Sequence, residues 1–336
     1  MPIETEGIAF TAPRQVEVRR LLLPDLGPQD VGVRTSFSGV SLGTERHCLL
    51  GTYNLGGRGK MASRVEEVYP FFTGYQKSGI VDRVGAEVSR VKVGDRVALP
   101  STRLHDPQLA RRSWPGHTGY SVLSEDQIYP LASNVDLEEA SLFVMIGVGM
   151  HGNRLAGVGK GDVVAMFGQG MIGQMSAQFA RARGAKVIAS DLIAARVEAS
   201  RRWSADIAVN PAEEDFAAVV KREAERGADV VTDTTGIASM FKQCLALVRR
   251  EGKIIMQGYY PDPIVIDFHP AHAKRIAVFF PESYDGPASA LEALATGSVN
   301  VKPLITHHVP YRDAPEAYQL VLEHPDQIIS MVLNWK

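Results

Sequence analysis

The chain has 336 residues, of which 45% are hydrophobic and 22% charged, a composition typical of a globular protein with room for two domains. Its 36 basic and 38 acidic side chains leave a formal net charge of −2, which argues against a binder of nucleic acid or of anionic membranes. The first residues lack the order of a signal peptide, and no apolar run is long enough to cross a membrane. Two cysteines, Cys48 and Cys244, are too few for a disulfide framework and favour buried free thiols. We therefore expect a cytoplasmic protein that acts on a small molecule.

The first 130 residues contain short β-like runs separated by Gly, Pro and Asp. Residues 31–36 alternate between apolar and polar, residues 79–85 form an apolar run that ends in glycine, and residues 93–99 combine a turn with a strand. Short strands with frequent turn signals predict an irregular β-barrel for this part of the chain.

From Asp162 onward the pattern changes to alternating strands and helices. The predicted strands are 163–167, 186–190, 229–233 and 253–257, and the predicted helices lie near 171–183, 194–203, 213–226 and 238–249. Strands that alternate with helices indicate a doubly wound parallel sheet.

After Gly297 the β pattern returns, with predicted strands at 304–306 and 328–333 around a helix at 312–323. We expect this tail to complete the first domain, so that residues 1–140 and 300–336 form one domain and residues 141–299 an inserted one. An active site is then expected in the cleft between them. The apolar run 275–280 predicts an edge strand that pairs with a second copy, giving a homodimer.

A glycine-rich turn follows the strand at 163–167 and precedes a helical pattern. It has the spacing Gly-x-Gly-x-x-Gly, with Gly168 for the tight turn, Gly170 for close approach of a phosphate and Gly173 for helix–strand packing. The helix start supplies N–H groups to the anion. The pattern predicts a dinucleotide site that also includes Gln169, Met171 and Ile172.

An acidic residue stands where the ribose of a dinucleotide is expected. Asp191 ends the next predicted strand, and Leu192 follows it without an adjacent basic residue for a 2′-phosphate, so NAD is favoured over NADP. Arg196 is near enough to qualify that preference. The second half of the cofactor is expected at the carboxyl ends of the next two strands, at Thr235, Gly236 and Gly258.

The motifs together resemble the medium-chain dehydrogenase/reductase family over nearly the whole chain. They are Gly43-Thr44-Glu45-Arg46-His47, Gly74-Tyr75-Gln76-Lys77-Ser78-Gly79, Val93-Gly94-Asp95-Arg96-Val97 and the glycine-rich turn with Asp191. Within the family the chain is most similar to the bacteriochlorophyllide a dehydrogenase type. The resemblance implies a GroES-like irregular β-barrel catalytic domain, a Rossmann domain with a doubly wound parallel sheet, and hydride transfer between NAD(P) and a carbinol or carbonyl carbon.

The chain departs from the zinc-dependent members of that family at the metal positions. The residues that correspond to their ligands are Leu42, Tyr75 and Val144, none of which is a plausible zinc ligand, and Gln76 replaces a glutamate. The segment 100–119, where many relatives carry four structural cysteines, contains no cysteine. We therefore expect an enzyme without zinc.

Five residues in the two motifs on the substrate side are candidates for the chemistry: Thr44, Glu45, His47, Tyr75 and Lys77. The resemblance implies that Thr44 and His47 pass the alcohol proton to solvent, a role that suits a histidine. Tyr75 either hydrogen-bonds the substrate oxygen or fills the space left by the metal. Lys77 either lowers the pKa of that phenol or is a solvated or phosphate-facing cation, and the second is favoured.

Other polar residues receive structural interpretations. Tyr53 is predicted to pack in a turn rather than line the pocket, and His151 to pack in a helix. The cations of the shortened segment are predicted to form a solvated loop face rather than a site for an acidic substrate; they are Arg103, His105, Arg111, Arg112 and His117.

The sequence thus favours a zinc-independent, NAD-dependent oxidoreductase that interconverts a secondary alcohol and a ketone on a sizeable biosynthetic intermediate. One alternative is an NAD(P)H-dependent reductase of a conjugated C=C bond, against which Asp191 counts. The second alternative is a non-catalytic nucleotide-binding protein, in which Thr44 and His47 would be kept without a role.

Overall fold

The computed structural model describes residues 1–53, 69–281 and 286–336. Their contacts divide the chain into two compact units. The first, which we call the split unit, combines Met1–Phe143 with Ile305–Lys336, and the second, the inserted unit, is Val144–Leu304. Among the described residues, no helix is long and apolar enough to cross a membrane.

The split unit is mostly β structure, and all elements are numbered in chain order. Its strands are β1 (Ile3–Ala12), β2 (Gln15–Leu23), β3 (Asp30–Val40), β4 (Phe71–Phe72), β5 (Lys77–Val84), β6 (Arg96–Leu99), β7 (Tyr120–Ser124), β8 (Tyr129–Pro130), β15 (His307–Pro310) and β16 (Met331–Asn334). Its helices are α1 (Leu42–Leu50), α2 (Pro107–Ala110), α3 (Leu137–Ala140) and α11 (Ala314–Glu323), and α4 (Phe143–Leu155) begins at its boundary.

Two sheets build the split unit from the described residues. One has the order β2-β1-β4, and the other has the order β15-β16-β3-β5-β6-β8, with β7 also paired to β3. The C-terminal strand β16 lies antiparallel to β3, with Met331 opposite Val40. The end of the chain therefore completes a sheet that the N-terminal part begins.

An aromatic core joins these sheets to α1 and α11. The ring of Phe10 packs edge-on against Phe71 and Tyr318, with centroid distances of 5.3 and 5.1 Å. All three side chains are fully buried, and each such burial contributes about 1.5–3 kcal/mol to the free energy of unfolding. This core surrounds α1, the helix that carries three of the candidate catalytic residues.

The inserted unit contains one parallel sheet. Its strands are β9 (Val163–Phe167), β10 (Lys186–Ser190), β11 (Ile207–Val209), β12 (Ala228–Asp233), β13 (Val248–Met256) and β14 (Ala277–Phe279). Its further helices are α5 (Met171–Ala182), α6 (Ala194–Trp203), α7 (Phe216–Glu223), α8 (Met240–Leu247), α9 (Phe268–Lys274) and α10 (Pro287–Thr296). In the described part of the chain the strand order is β11-β10-β9-β12-β13-β14, so the order reverses between β9 and β12.

Hydrophobic clusters cover the faces of this sheet. One contains Ile188 and Phe241 and another Val164 and Val187. Strands buried on both faces are continuous apolar runs, which explains why β9 and β10 coincide with the predicted strands 163–167 and 186–190.

One prediction of local structure was wrong, and one strand was not predicted. The predicted strand 304–306 is not a strand: Lys302–Leu304 form a 3₁₀ turn, and β15 begins at His307. The strand β11, at one end of the sheet, was not predicted, because three residues are too few to show a period of two.

Candidate active site

The glycine-rich turn has the backbone conformation that its sequence requires. Gly168 follows β9 with φ = +86°, a conformation that side chains disfavour. A Cβ on Gly173 would lie 2.1 Å from the carbonyl oxygen of Gly168. The turn and the first turn of α5 thus pack together too closely for any other residue at position 173.

Gly170 is different, because its missing side chain leaves space. It is the N-cap of α5, and a Cβ on it would meet no atom within 4 Å. The first N–H groups of a helix have no partner within the helix, and its dipole favours an anion at this end. The start of α5 thus has both the room and the donors that a pyrophosphate requires.

Asp191 lies beside this turn at the end of β10. Its carboxylate accepts the backbone N–H of Gln169 at 2.7 Å and that of Ile193 at 2.9 Å. The guanidinium of Arg196 is 3.9 Å away. The carboxylate is therefore held in one orientation next to the glycine turn, as a ribose-binding acid requires.

The remaining predicted residues of the turn differ in what they expose. Gln169 is fully buried, and its side-chain oxygen accepts the hydroxyl of Ser200 at 2.9 Å. Leu192 is 74% exposed, Met171 is buried and Ile172 is partly buried. Since the backbone N–H of Gln169 is bound to Asp191, we assign Gln169 to holding the turn in shape and not to contacting phosphate.

The loops after β12 and β13 meet at the same edge of the sheet. A Cβ on Gly258 would lie 2.6 Å from the backbone N of Gly236, which has φ = +73°. The buried carboxylate of Asp233 accepts the hydroxyls of Thr235 at 2.8 Å and Tyr260 at 2.5 Å. Burial raises the pKa of Asp233, and the two hydroxyls tie both loops to the end of β12. Sequence reasoning missed Asp233 and Tyr260.

Two candidate residues of the split unit are three positions apart on α1. Thr44 is partly buried, and His47 is half-buried with Nδ1 2.8 Å from the hydroxyl of Thr52. Residues spaced by three lie on one face of a helix. Burial and the neighbouring Arg46 lower the pKa of His47, so its imidazole is neutral near pH 7 and able to accept a proton.

Tyr75 lies in the loop before β5 and contacts the start of α1. Its hydroxyl lies near the side chains of Ser41 and Thr44, both of which act to lower its pKa. Burial and the nearby carboxylate of Glu45 raise the pKa of Tyr75, and the effects of Ser41 and Thr44 only partly oppose this. The phenol therefore stays protonated at neutral pH, and it lies beside Thr44.

The structure contradicts the predictions made for Lys77. This side chain is fully buried, so it is not a solvated or phosphate-facing cation. Its Nζ donates to the hydroxyl of Thr118 at 2.7 Å and to the carbonyl of Pro115 at 3.4 Å. Burial lowers the pKa of Lys77 well below its usual value. The alternative prediction, in which the pKa of the Tyr75 phenol is lowered, is also wrong, because that pKa is raised.

Glu45 is also buried, with 1% of its surface exposed. Its carboxylate accepts the backbone N–H of Ser41 at 2.8 Å and lies 3.1 Å from Nε2 of His117. We therefore remove Glu45 and Lys77 from the groups proposed to touch substrate.

The cations of the segment 100–119 have different environments. His117 is fully buried, so its prediction as part of a solvated loop was wrong. Arg103 forms an ion pair with Asp30 at 2.5 Å, and His105 and Arg111 are exposed. Tyr53 packs edge-on against Trp114, with ring centroids 5.7 Å apart.

Two family models match the chain. Residues 27–132 match the alcohol dehydrogenase GroES-like domain, and residues 172–294 match a model described as zinc-binding dehydrogenase. Sorbitol dehydrogenase 1 of Saccharomyces cerevisiae is 30% identical over 309 residues, covering 84% of this chain and 85% of that protein. The D-xylulose reductase of the same yeast is 26% identical over 355 residues, covering 98% and 97%. The chain belongs to the medium-chain zinc-binding dehydrogenase family.

Solved structures of this family have the same fold. An Escherichia coli oxidoreductase of unknown specificity matches with a TM-score of 0.86 at 25% identity, with 99% of each chain covered. Bacillus subtilis 2R,3R-butanediol dehydrogenase matches with a TM-score of 0.84 at 20% identity, covering 98% of this chain and 99% of that one. The prediction of a GroES-like barrel plus a Rossmann domain is confirmed. A nicotinamide cofactor agrees with neighbours described with NADP and with NADH bound.

The family's name implies zinc, but the residues predicted to stand at the ligand positions do not fit it. Leu42 and Val144 carry no donor atom, and the pKa of Tyr75 is raised, which opposes a phenolate ligand. Among residues 1–53, 69–281 and 286–336, no group of three or more His, Cys, Asp or Glu side chains could hold a metal ion. The donor set of a zinc site is thus not present at these positions.

Proposed function

We propose that this protein is a zinc-independent, NAD(H)-dependent oxidoreductase that interconverts a secondary alcohol and a ketone. The observation that carries the proposal is that Tyr75 lies near Thr44, at the position where the family resemblance implies a metal ligand in zinc-dependent relatives. When bound, NAD(H) accepts or supplies the hydride. The similarity to a sorbitol dehydrogenase and to a D-xylulose reductase supports alcohol–ketone chemistry.

The residues of α1 and the loop before β5 have different roles toward the substrate oxygen: one donates a hydrogen bond, and the others transfer its proton. Tyr75, kept protonated by its raised pKa, donates a hydrogen bond to that oxygen and stabilises the charge that develops on it. In the direction of oxidation, Thr44 receives the alcohol proton and passes it to the neutral imidazole of His47. Tyr75 is thus an orienting donor in this proposal, and His47 is the base.

Aromatic side chains near Tyr75 support a sizeable substrate with a flat ring. Tyr53 adds to the raised pKa of Tyr75, which places the two phenols near each other, and Tyr53 packs against Trp114. Aromatic surfaces suit planar apolar groups. A pigment precursor, as in the bacteriochlorophyllide a dehydrogenase type, fits this chemistry. The second candidate is a polyol, because the relatives' names refer to sorbitol and D-xylulose.

The test uses enzyme dialysed against a chelator and analysed for metal. We expect less than one zinc per chain and undiminished oxidation of a secondary alcohol with NAD⁺. Tyr75→Phe is expected to lower turnover about 10²-fold, the usual scale for losing one hydrogen-bond donor to an oxygen that develops charge. Near-normal turnover would return Tyr75 to a packing role, and activity that is lost on dialysis and restored by zinc would overturn the proposal.

The substrate panel separates the remaining alternatives. Ring-bearing secondary alcohols and ketones are compared with sorbitol and D-xylulose, and enones are included as substrates for C=C reduction. Faster turnover of enones would favour a conjugated reductase. NADH binding without turnover of any compound would favour a nucleotide-binding protein, which would leave Thr44 and His47 without a role.

We also propose a cytoplasmic homodimer. Within the described residues β14 is one of the two edge strands of the parallel sheet. Phe280, the residue after β14, is 57% exposed, and Phe268, which lines a surface pocket together with Val278 of β14, is 67% exposed. An unpaired edge beside an apolar patch is suited to pairing with a second copy. The buried free thiols of Cys48 and Cys244 fit a reducing compartment.

A further inference from the structure

A cluster of buried polar side chains lies next to the Tyr75–Thr44 pair. Its centre is the carboxylate of Glu45, and we call it the Glu45 cluster. Its other members come from five separate segments of the split unit: Ser38, Thr73, His117, Tyr318 and Trp335. All except Trp335 are at most 1% exposed, so the cluster is closed to substrate.

Three donors besides the histidine point at the carboxylate. Glu45 accepts the backbone N–H of Ser41 at 2.8 Å, the hydroxyl of Thr73 at 3.3 Å and the hydroxyl of Tyr318. Both oxygens of the buried Glu45 side chain thus have hydrogen-bond partners.

His117 extends the cluster to the C-terminal strand. Its Nε2 is 3.1 Å from Glu45, and its Nδ1 is 2.7 Å from the hydroxyl of Ser38. That hydroxyl accepts the indole N–H of Trp335 at 2.8 Å. With the proton assigned to Nε2, each donor has an acceptor and the bonds run in one direction from Trp335 to Glu45.

The cluster joins the start of α1 to the segment that carries Tyr75. Glu45 itself is the neighbour of Thr44, and Thr73 is two residues before Tyr75. The backbone N–H of His117 donates to the carbonyl of Thr73 at 3.0 Å. A Cβ on Gly74 would lie 2.7 Å from the His117 ring, so the glycine lets the ring pack against this segment.

Stability alone does not account for such a cluster. Replacing a buried ion pair with apolar side chains of similar volume is often neutral or stabilising, whereas buried polar groups can specify one arrangement of the elements around them. A single carboxylate with directional partners on separate segments fixes their relative positions. The segments fixed here are those that carry the two hydroxyls of the proposed active site.

We propose that the Glu45 cluster is a positioning device that sets the place of Tyr75 relative to Thr44. It links two segments that contain metal-ligand positions in the zinc-dependent relatives, residues 42 and 75. Glu45, His117 and Tyr318 are thus positioning residues, and this role rests on the proposed function of Tyr75. Displacements near 1 Å cost about 10²-fold in rate when a reacting group is misplaced.

The test compares two Tyr→Phe substitutions in the split unit. Tyr318→Phe removes one hydroxyl donor from Glu45, and Tyr120→Phe removes one hydroxyl donor from Asp82, a bond of 3.0 Å outside the cluster. Both delete a single oxygen atom from a buried ring. The pair therefore separates the loss of a hydrogen bond in general from the loss of one in the Glu45 cluster.

The first readout does not need activity. The protein is labelled with 3-fluorotyrosine, and among its ten tyrosines the ¹⁹F resonance of Tyr75 is assigned by its loss in Tyr75→Phe. We expect that resonance to move or split in Tyr318→Phe and to stay in place in Tyr120→Phe. An unchanged Tyr75 resonance in Tyr318→Phe, or the same change in both variants, would overturn the proposal.

The second readout is kinetic. Tyr318→Phe is expected to lower kcat about tenfold while KM for NAD⁺ and thermal stability match those of Tyr120→Phe. Glu45→Gln should lower kcat further, and Glu45→Asp should recover part of it. Equal kcat values for Tyr318→Phe and Tyr120→Phe would contradict the role. If the wild type oxidises no alcohol, the proposed function fails, and the ¹⁹F comparison still decides the role of the cluster.

Discussion

Asp191 has two roles in the structure, and its substitution tests both. The carboxylate accepts two backbone N–H groups of the turn and is proposed to accept the ribose hydroxyls of NAD(H). We expect Asp191→Ala to weaken the binding of NADH more than the binding of NADPH, because NADPH lacks the free 2′-hydroxyl that the carboxylate binds. The measurement is the ratio of the two dissociation constants by fluorescence titration. If both dissociation constants rise and their ratio is unchanged, Asp191 holds the glycine turn in shape but does not bind the ribose.

Arg196 provides the control for this experiment. Its guanidinium is 3.9 Å from Asp191, so we expect a 2′-phosphate at this position to contact it. Arg196→Ala is expected to leave NADH binding unchanged and to weaken NADPH. The two substitutions should thus change the ratio in opposite directions.

Lys77 gives a prediction for stability as a function of pH. Its pKa in the folded protein lies well below the usual 10.5 because of burial, whereas the unfolded chain has the usual value. Between the two values the unfolded chain binds more protons, so the contribution of this residue to stability rises with pH. We expect the Lys77→Met protein to show a smaller increase of stability with pH, that is, a smaller slope than the wild type. It should be at least as stable as the wild type at pH 7.

Urea unfolding at pH 7 and pH 9 measures the effect. Lys242→Met, at an exposed position of α8, is the control and should keep the wild-type slope. A Lys77→Met protein with the same slope as the wild type would show that Lys77 is already charged when folded.

At the scale of single elements, the glycine turn between β9 and α5 allows the same substitution to be compared at Gly173 and Gly170. Gly173→Ala places a Cβ 2.1 Å from a backbone oxygen and should destabilise the inserted unit by about 1–3 kcal/mol or more. Gly170→Ala places its Cβ in open space at a φ of −67°, which alanine adopts freely. The Gly170→Ala protein should keep the wild-type melting temperature and bind NADH about tenfold more weakly, a loss of about 1.4 kcal/mol in binding free energy.

Calorimetry and NADH titration check this pair. If Gly170→Ala binds NADH normally, the phosphates do not approach this glycine. If Gly173→Ala melts with the wild type, the turn relaxes more easily than its close contacts indicate.

The elements that the sequence predicted well are those with one dominant local cause. A continuous apolar run ended by Gly168 defines β9, and helix α6 begins and ends where its pattern does. The strand β15 was misplaced because His307–Pro310 are partly exposed and their pattern is weak. Its position depends on pairing with β16, which local sequence does not encode.

The candidate site divides in the same way. The positions of Thr44, His47 and Tyr75 follow from motifs, and their roles stay predictions. The burial of Glu45 and Lys77 was not predicted, because charged residues are seldom inside and the partners are far apart in sequence. His117 and Tyr318 are 72 and 273 residues from Glu45, so only the tertiary structure reveals the cluster.

For the whole molecule, the edge strand β14 gives a prediction about assembly. Phe280→Asp puts a charge into the exposed apolar patch, and we expect it to convert the proposed dimer into a monomer. Leu22→Asp, at a position of β2 with 47% exposure, is the control and should leave the assembly unchanged. Sedimentation velocity at micromolar concentration measures both. A wild-type monomer, or a dimer that tolerates Phe280→Asp, would contradict pairing at this edge.

The split unit also has a consequence for biosynthesis. A ribosome delivers Val144–Leu304 before Tyr318 and Trp335, and domains generally fold as units during synthesis. The whole inserted unit is therefore synthesised before β16, the strand that pairs with β3. Paired residues of β3 and β16 are about 290 positions apart in the sequence. The Glu45 cluster is complete only after the last strand has been synthesised. The nucleotide-binding fold can therefore form first during translation, and the proposed metal-free centre forms last.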